Sequence, residues 1–357
     1  MDADAAFLTG LWYFAMPARE LKRGAMVTRQ IAGHPVVFWR DETGRACAIR
    51  DLCPHRGVPL SCGRLEGGGR EVECPYHGWR FGADGACTAI PSLTEDQTVD
   101  TGKIRVRRYP VAEQQGLIWL WLSDAPVEGP ALNPDETPAF EAPLAPAAAP
   151  DARPRLVFSM DFDCHVDHAV IGLMDPAHGP YVHGSWWWRT RKSMHEKAKR
   201  FGPVERGFSM LEHAPSKNSS IYRLLGGQPT TEITFTLPGI RTELIRIGER
   251  HVCGLTAVTP MDANTTRVTQ IFWWDLPVMS VLKPFLMPFA RAFLKQDRDM
   301  VELQREGLKH NPRLMLINDS DTQAKWYFRL KQAWAEQGAG GQFRHPLTKE
   351  VTLRWRS

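Results

Sequence analysis

Residues 53–79 read CPHRGVPLSCGRLEGGGREVECPYHGW and hold two mixed pairs, Cys53-x-His55 and Cys74-x-x-His77, with 18 residues (56–73) between them. Thiolate and imidazole ligands together suit zinc or iron–sulfur chemistry. To close on one centre, the pairs must sit on two loops that face each other, which calls for short strands and tight turns. Gly57 and Gly78 follow the pairs and permit those turns, while Pro54 and Pro75 stiffen them. Tyr76 and Trp79 are placed to shield the centre from water, and EGGGRE (66–71) reads as a loop tip.

Zinc also accepts two Cys and two His. Zinc fingers, however, pair Cys with Cys and His with His, with the histidines on a short helix. One Cys and one His on each loop matches a Rieske [2Fe–2S] centre, where two His replace two Cys on one iron. Neutral imidazoles make that cluster less negative and raise its potential to roughly −150 to +300 mV. Cys47, Cys62 and Cys87 fall outside the spacing and read as structural. Seven cysteines, odd in number and unevenly spaced, do not form a disulfide framework, so thiols stay free and the cytoplasm is the expected location.

At 357 residues the chain is long enough for two domains. The net charge of +4 is spread without a Lys/Arg run, so no nucleic-acid groove is expected. The opening MDADAAFLTGLWYFAMPARELKRG lacks a signal-peptide pattern. No run of about 18 apolar residues occurs, so no membrane-spanning helix is expected. Thirteen tryptophans are many, and they cluster in GSWWWRTR (184–191) and IFWWDLPVMSVLKPFLMPFARAFL (271–294). One reading makes these clusters core. The other makes them the wall of a large apolar pocket, with contact to a membrane surface left open.

Residues 8–122 read as short strands with Gly- and Asp-containing turns, including hairpins in VVFWR-DETGRACAIRDLC and WRFGADGACTAIP and a buried strand in GLIWLWLSD. Residues 125–154, rich in Pro and Ala, read as a linker. LVFSMDFDCHVDH alternates from Phe158 to Val166, as a half-buried strand does. AVIGLMDPAHGPYVH (169–183) is helix-compatible but broken by Pro176 and Pro180. Alternating runs at 205–213, 231–237, 241–247, 251–259 and 266–274 supply an antiparallel sheet, and 283–336 is helical in pattern. The expected class is α+β: an all-β domain over 1–124, a linker over 125–154, and an α+β domain over 155–357.

LMDPAHGPYVHGS carries Asp175-x-x-His178-x4-His183, and on a helical or broken-helical segment the two histidines fall near one face. Each alone reads as a surface or satisfied His; together they can share a metal. Two histidines need a carboxylate to complete the facial triad of a non-haem Fe(II) site. In FARAFLKQDRDMVELQREGLKH an apolar stripe runs through Ala290, Phe293, Leu294, Met300 and Val301, and Asp297 sits in its middle. A carboxylate on that line is costly unless paired or bound to a cation, so a buried salt bridge is the competing reading. His168 reads either as a substrate contact or, preferably, as an ordinary hydrogen-bonded His.

On CPHRG…CPYHGW, on the opening GLWYFAMPARELKRG and on the Asp-His-His segment, the chain resembles the Rieske non-haem iron oxygenases, alpha (terminal oxygenase) subunit, over most of its length. The resemblance implies Cys53, His55, Cys74 and His77 as [2Fe–2S] ligands, and His178, His183 and Asp297 as ligands of a mononuclear Fe(II). It implies that Asp175 bridges His178 to His77 of a neighbouring subunit, in a head-to-tail homotrimer. One departure is Ile171-Gly172, where many relatives carry a polar or acidic pair; it touches the local hydrogen-bond network rather than the iron ligands.

The implied fold is a small all-β Rieske domain followed by a helix-grip-like antiparallel-sheet catalytic domain with C-terminal helices. No flavin or nicotinamide fingerprint occurs, so electrons would come from a ferredoxin and/or flavin reductase using NAD(P)H. Length and a single-chain appearance point to the monooxygenase/demethylase branch. The expected reaction is hydroxylation or oxidative demethylation, with O2, of a bulky hydrophobic substrate of aromatic, terpenoid or steroid-like kind. A ring-dihydroxylating dioxygenase, a Rieske electron carrier and a zinc-stabilised binding module are the alternatives.

Overall fold

The computed structural model describes residues 7–124, 136–184, 191–214, 229–337 and 343–357. The chain divides into two compact units, one of Thr9–Pro143 and one of Leu144–Ser357 with the N-terminal Phe7 and Leu8.

The first unit is built from three antiparallel sheets. β1 (Leu11–Pro17), β10 (Leu117–Leu122) and β9 (Val111–Gln114) form one, in the order β1-β10-β9. The hydrophobic run LIWLWL makes β10 a central strand buried on both faces. β2 (Val27–Ile31), β3 (His34–Arg40) and β4 (Ala46–Arg50) form the second sheet. The third runs β5 (Arg64–Glu66), β6 (Glu71–Glu73), β7 (Arg80–Gly82) and β8 (Cys87–Ala89). The hairpins expected at 36–53 and 79–91 are β3–β4 and β7–β8. The EGGGRE tip joins β5 to β6, and its Gly69 carbonyl accepts a 2.8 Å hydrogen bond from the buried Trp39 indole.

Part of the segment read as linker belongs to this unit. Trp12 Nε1 donates to Phe140 O at 2.7 Å, Phe140 packs edge-on against Trp121, and Gln114 Nε2 donates to Pro143 O at 3.0 Å. The structure therefore draws the boundary at Pro143/Leu144, because the strand aromatics need that cover; residues 125–135 of the expected linker lie outside the described residues.

The second unit is one eight-stranded antiparallel sheet with helices against it. Its strands are β11 (Leu156–Phe162), β12 (Glu196–Val204), β13 (Gly207–His213), β14 (Thr230–Thr236), β15 (Ile240–Ile247), β16 (Arg250–Pro260), β17 (Thr266–Trp274) and β18 (Val351–Arg356). They run in the order β11-β17-β16-β15-β14-β13-β12-β18. β12 and β18 escaped the sequence reading: EKAKRFGPV and VTLRWR lie at one edge of the sheet and carry charged residues there.

The alternating run LVFSMDFDCHVDH is a strand only to Phe162. The His165 imidazole accepts from Asp167 N at 3.3 Å and caps a helix, α1 (Val166–Met174). Pro176 stops α1, since the residue before a proline avoids the helical region; Asp175 has ψ 121°. Pro180 breaks nothing: it sits in the first turn of a short helix α2 (Gly179–Val182), where its missing N–H costs no hydrogen bond.

The helical tail is α3 (Pro277–Leu308) and α4 (Thr322–Gln337). Phe201, Phe208 and Phe235 of the sheet meet Trp326 and Tyr327 of α4 in edge-on pairs. α3 holds one 18-residue window of mean hydropathy 1.2, so by length and composition it is apolar enough to cross a membrane, contrary to the expectation from sequence. Its inner face nonetheless lines a cavity of this unit.

A partly buried ion pair ties α1 to α4. Lys331 Nζ lies 2.7 Å from both carboxylate oxygens of Asp167, and the Tyr327 hydroxyl donates to Oδ1 at 2.6 Å. Removing one partner of such a pair leaves a charge only partly solvated, at a cost of about 1–3 kcal/mol. Asp167→Ala is therefore expected to lower the denaturant midpoint of this unit by that order, while Asp167→Ala with Lys331→Met recovers most of it. Equilibrium unfolding followed by Trp fluorescence checks both.

Candidate functional site

In the first unit the two Cys–His loops repeat one hydrogen-bond pattern. Cys53 N donates to Val58 O at 2.9 Å and Gly57 N to Cys53 O at 2.8 Å. Cys74 N donates to Trp79 O at 2.8 Å and Gly78 N to Cys74 O at 3.1 Å. Each loop closes through a glycine at positive φ, +69° at Gly57 and +71° at Gly78, where a side chain would be strained.

Both cysteines are buried among Trp39, Leu60, Val72 and Phe81. The two histidines lie nearer solvent with ring centroids 4.6 Å apart. Burial pushes the Cys53 thiol up to about 11, so a cationic centre is needed to hold it as thiolate. Trp79 stacks on His55 at 4.7 Å, as a shield would; Tyr76 is 55% exposed but lies tilted against the His77 ring at 3.9 Å. One Cys and one His from each of two facing loops is the donor set of a centre shared between two irons.

In the second unit, α1, α2 and α3 bring His178, His183 and Asp297 together, with their ligand atoms within 4.8 Å of one another. Asp297 Oδ1 lies 3.0 Å from His183 Nε2 and 3.4 Å from His178 Nε2, and the two Nε2 atoms are 3.1 Å apart. The far nitrogen of each ring is occupied: His178 Nδ1 donates to Asp175 O at 2.8 Å, and His183 Nδ1 to Gln296 Oε1 at 2.9 Å. That network assigns the Nδ1–H tautomer to both rings and turns two lone pairs toward each other and toward a carboxylate. Such a trio repels itself unless a cation sits between its members, and two His with one carboxylate is the donor set of a non-haem Fe(II) site.

The electrostatics agree. Burial works to lower the His178 pKa, but the Asp297 and Asp175 carboxylates outweigh it and raise it. Burial works to raise Asp297, and the His178 and His183 rings that face it bring it below the ordinary carboxylate range, so positive charge is what the space between the three calls for. Asp175 moves the other way, raised chiefly by burial.

Its carboxylate does not hold His178 in this chain. Oδ2 lies 3.7 Å from Nδ1, while Oδ1 accepts from Ala177 N at 2.7 Å; the backbone carbonyl of Asp175 does the orienting.

The helical stripe also needs one correction. Leu294 and Val301 are buried, but Met300 is 44% exposed, and the line of α3 that faces inward runs through Phe293, Leu294 and Asp297. Asp299 and Glu302 turn away to Lys295 and Arg298. His168 is not the satisfied His expected: its Nδ1 is buried without a hydrogen-bond partner among the described residues, and it does not line the cavity.

Two contributors were missed in the sequence. Gln296 fixes His183, and Phe293 stacks on its ring at 4.5 Å. The signal for Gln296 was an amide next to a carboxylate on a helix otherwise lined with apolar residues. The trio opens onto a cavity of about 1090 Å³ walled by residues such as Leu156, Phe158, Met210, Phe272, Leu286 and Phe289. The cluster at 271–294 supplies part of that wall; of the 184–191 cluster, residues 185–190 lie outside the described residues.

Comparison with known proteins matches residues 11–110 to the Rieske [2Fe-2S] domain and residues 162–337 to the vanillate O-demethylase oxygenase C-terminal domain. The oxygenase component of chloroacetanilide N-alkylformylase from Rhizorhabdus wittichii is 34% identical over 182 residues, 50% of this chain and 47% of that one. The oxygenase component of dicamba O-demethylase from Stenotrophomonas maltophilia is 34% identical over 178 residues, 50% and 48%. Chlorophyllide a oxygenase of Chlamydomonas reinhardtii is 36% identical over 180 residues, 50% and 25%. The chain thus spans less than half the length of these relatives. Among solved structures, dicamba monooxygenase bound to dicamba superposes with a TM-score of 0.69 at 23% identity, covering 93% of this chain and 100% of that one. NdmA of Pseudomonas putida CBB5 with caffeine gives 0.69 at 19% identity, covering 96% of each; both establish the fold.

If Gln296 sets the tautomer of His183, Gln296→Leu weakens Fe(II) binding at the trio by roughly 10- to 100-fold, the range for partners of metal-bound His. Gln296→Glu, which keeps the acceptor, retains it. Competition with a chromogenic Fe(II) chelator reads the difference.

Proposed function

Because this chain belongs to the Rieske non-haem iron oxygenases, we propose that it is the terminal oxygenase of a multicomponent Rieske monooxygenase. It hydroxylates or oxidatively demethylates a bulky hydrophobic substrate of aromatic, terpenoid or steroid-like kind. O2 is the co-substrate, and electrons come from a separate NAD(P)H-dependent reductase, directly or through a ferredoxin. The observation that carries this reading is the convergence of His178, His183 and Asp297 at the edge of a large apolar cavity. A pure electron carrier has no use for either. Relatives named for O-demethylation and N-alkylformylase activity support the dealkylating arm.

The family's Rieske domain binds a [2Fe–2S] cluster that moves single electrons, and its catalytic domain uses a mononuclear iron that activates O2. In this reading Cys53 and Cys74 hold one cluster iron, and His55 and His77 hold the other. His178, His183 and Asp297 would hold the mononuclear iron at the edge of the cavity. The Asp175 carbonyl and Gln296 keep both Nε2 atoms unprotonated and aimed inward. Phe293, Leu294 and the apolar wall exclude water and hold the substrate beside the metal. Asp175, with a carboxyl raised by burial and not bonded to the ring beside it, suits a link to His77 of a neighbouring subunit, which asks for a homotrimer. Five thiols beside the two cluster ligands, none of them in a disulfide, and the demand for reduced pyridine nucleotide support a cytoplasmic location.

Metal analysis tests the reading. Fully loaded protein should be brown-red and contain about three irons and two acid-labile sulfides per chain. His178→Ala should lose about one iron, keep both sulfides and keep accepting electrons, while product (or formaldehyde, if a methyl group is removed) disappears. A colourless protein, or one whose iron is all accounted for by the sulfide, ends the proposal.

The outer face of α3 supports a further partner. Val278, Val281 and Phe285 are 45–74% exposed, Arg291 and Lys295 follow them on the helix, and no acidic residue stands between Asp275 and Asp297. Apolar residues beside cations suit an anionic membrane surface. Co-sedimentation with phosphatidylglycerol vesicles, lost in Val281→Ser/Phe285→Ser and absent with phosphatidylcholine, is the expected result.

A further inference from the structure

The cavity floor carries polar side chains that the roles above leave unused. Strand register places Arg241 of β15 opposite Thr256 of β16, Thr256 opposite Gln270 of β17, and Gln270 opposite Phe158 of β11. All four line the cavity, so Arg241, Thr256 and Gln270 form one transverse polar row. The adjacent row is Leu156, Phe272, Gly254, Glu243, Ile233 and Met210, apolar except for Glu243. Gly254 keeps the floor low there: a Cβ would stand 3.1 Å from Phe272. Across the cavity stand Leu286, Phe289 and Phe293 of α3.

Arg241 uses Nη2 on Glu243 Oε2 at 3.1 Å, which balances the guanidinium charge. Neither the Thr256 hydroxyl nor the Gln270 amide hydrogen-bonds a side-chain or backbone group among the described residues, although Thr256 is only 3% exposed. A cavity of this size, apolar on most sides with a few convergent donors, fixes its ligand's orientation through those donors.

We infer that Arg241, Thr256 and Gln270 form a recognition row for an sp2 oxygen of the substrate, a carbonyl or carboxylate. The substrate of the oxygenase proposed above, on which this inference rests, is then an apolar body bearing such a group. A guanidinium, a hydroxyl and a carboxamide all donate, and one trigonal oxygen accepts two such bonds. A pure hydrocarbon would dry this floor, leaving Thr256 and Gln270 without partners and Arg241 with Glu243 alone, which is how a site built to hydrogen-bond rejects an analogue that cannot. The Arg241–Glu243 pair leaves the row near neutral, so a ketone suffices; a carboxylate gains only if Arg241 leaves Glu243.

Three probes with one body separate these cases: 2-acetylnaphthalene, 2-naphthoate and 2-isopropylnaphthalene, bound anaerobically to metal-loaded protein and measured by equilibrium dialysis. At least one oxygen-bearing probe is expected to bind about 10-fold or more tighter than the hydrocarbon. In Thr256→Val/Gln270→Leu, which keeps volume, that preference should fall to within about 3-fold, with hydrocarbon affinity unchanged or improved. A hydrocarbon that binds native protein as tightly as both others overturns the inference, as does a preference that survives the double variant. Iron content of the same samples keeps the two readings apart. Lost preference with iron intact removes the recognition row alone, and iron missing from native protein removes the oxygenase.

Discussion

Two imidazole nitrogens with their lone pairs toward each other, 3.1 Å apart beside a carboxylate, are the constraint on which the second unit depends. Nothing in an apolar interior favours that arrangement by itself. It persists because each ring is pinned from behind, His178 by a backbone carbonyl and His183 by Gln296, and because three helices meet there. The Asp167–Lys331 pair and the stop at Pro176 are distant parts of the same device: one holds α1 against α4, the other ends α1 where the chain must turn toward the histidines. The charge shifts follow, with the imidazole raised and the carboxylate lowered as each leans on the other.

The first unit solves a related problem with strands. Two loops with the same pair of backbone hydrogen bonds, each closed by a left-handed glycine, bury their sulfurs and leave their imidazoles toward solvent. Under the proposed assignment the buried thiols would shield the cluster from water, and the accessible imidazoles would give electrons a route in and out.

Most of this was legible in the residues because it rests on local rules. Cys–His spacing, glycine at a turn, alternation along β13 to β17 and the inward line of α3 through Asp297 are all short-range patterns. What escaped depends on distant partners. β12 and β18 pair across some 150 residues, and nothing local in EKAKRFGPV announces a strand with such a partner. The cover of Trp12 and Trp121 by residues 136–143 is likewise non-local, so a Pro/Ala-rich stretch read as linker. Met300 was placed inward by periodicity but lies exposed, and His168, read as satisfied, holds a buried nitrogen with no partner among the described residues. The Asp175 carboxylate was read as the partner of His178, yet the carbonyl three atoms away takes that place, a choice that only backbone geometry decides.

α3 carries Pro284 and Pro288 in its first half and Asp297 in its second. A proline inside a helix withdraws one rung of the hydrogen-bond ladder and loosens the turn before it. The first turns of the cavity wall are therefore held by fewer backbone bonds than the turn that presents the carboxylate. Substitutions at Met279, Leu286 or Phe289 can re-contour the chamber while the anchor downstream keeps its station, which makes this helix the natural place for such a scaffold to change its taste in molecules without relearning its chemistry.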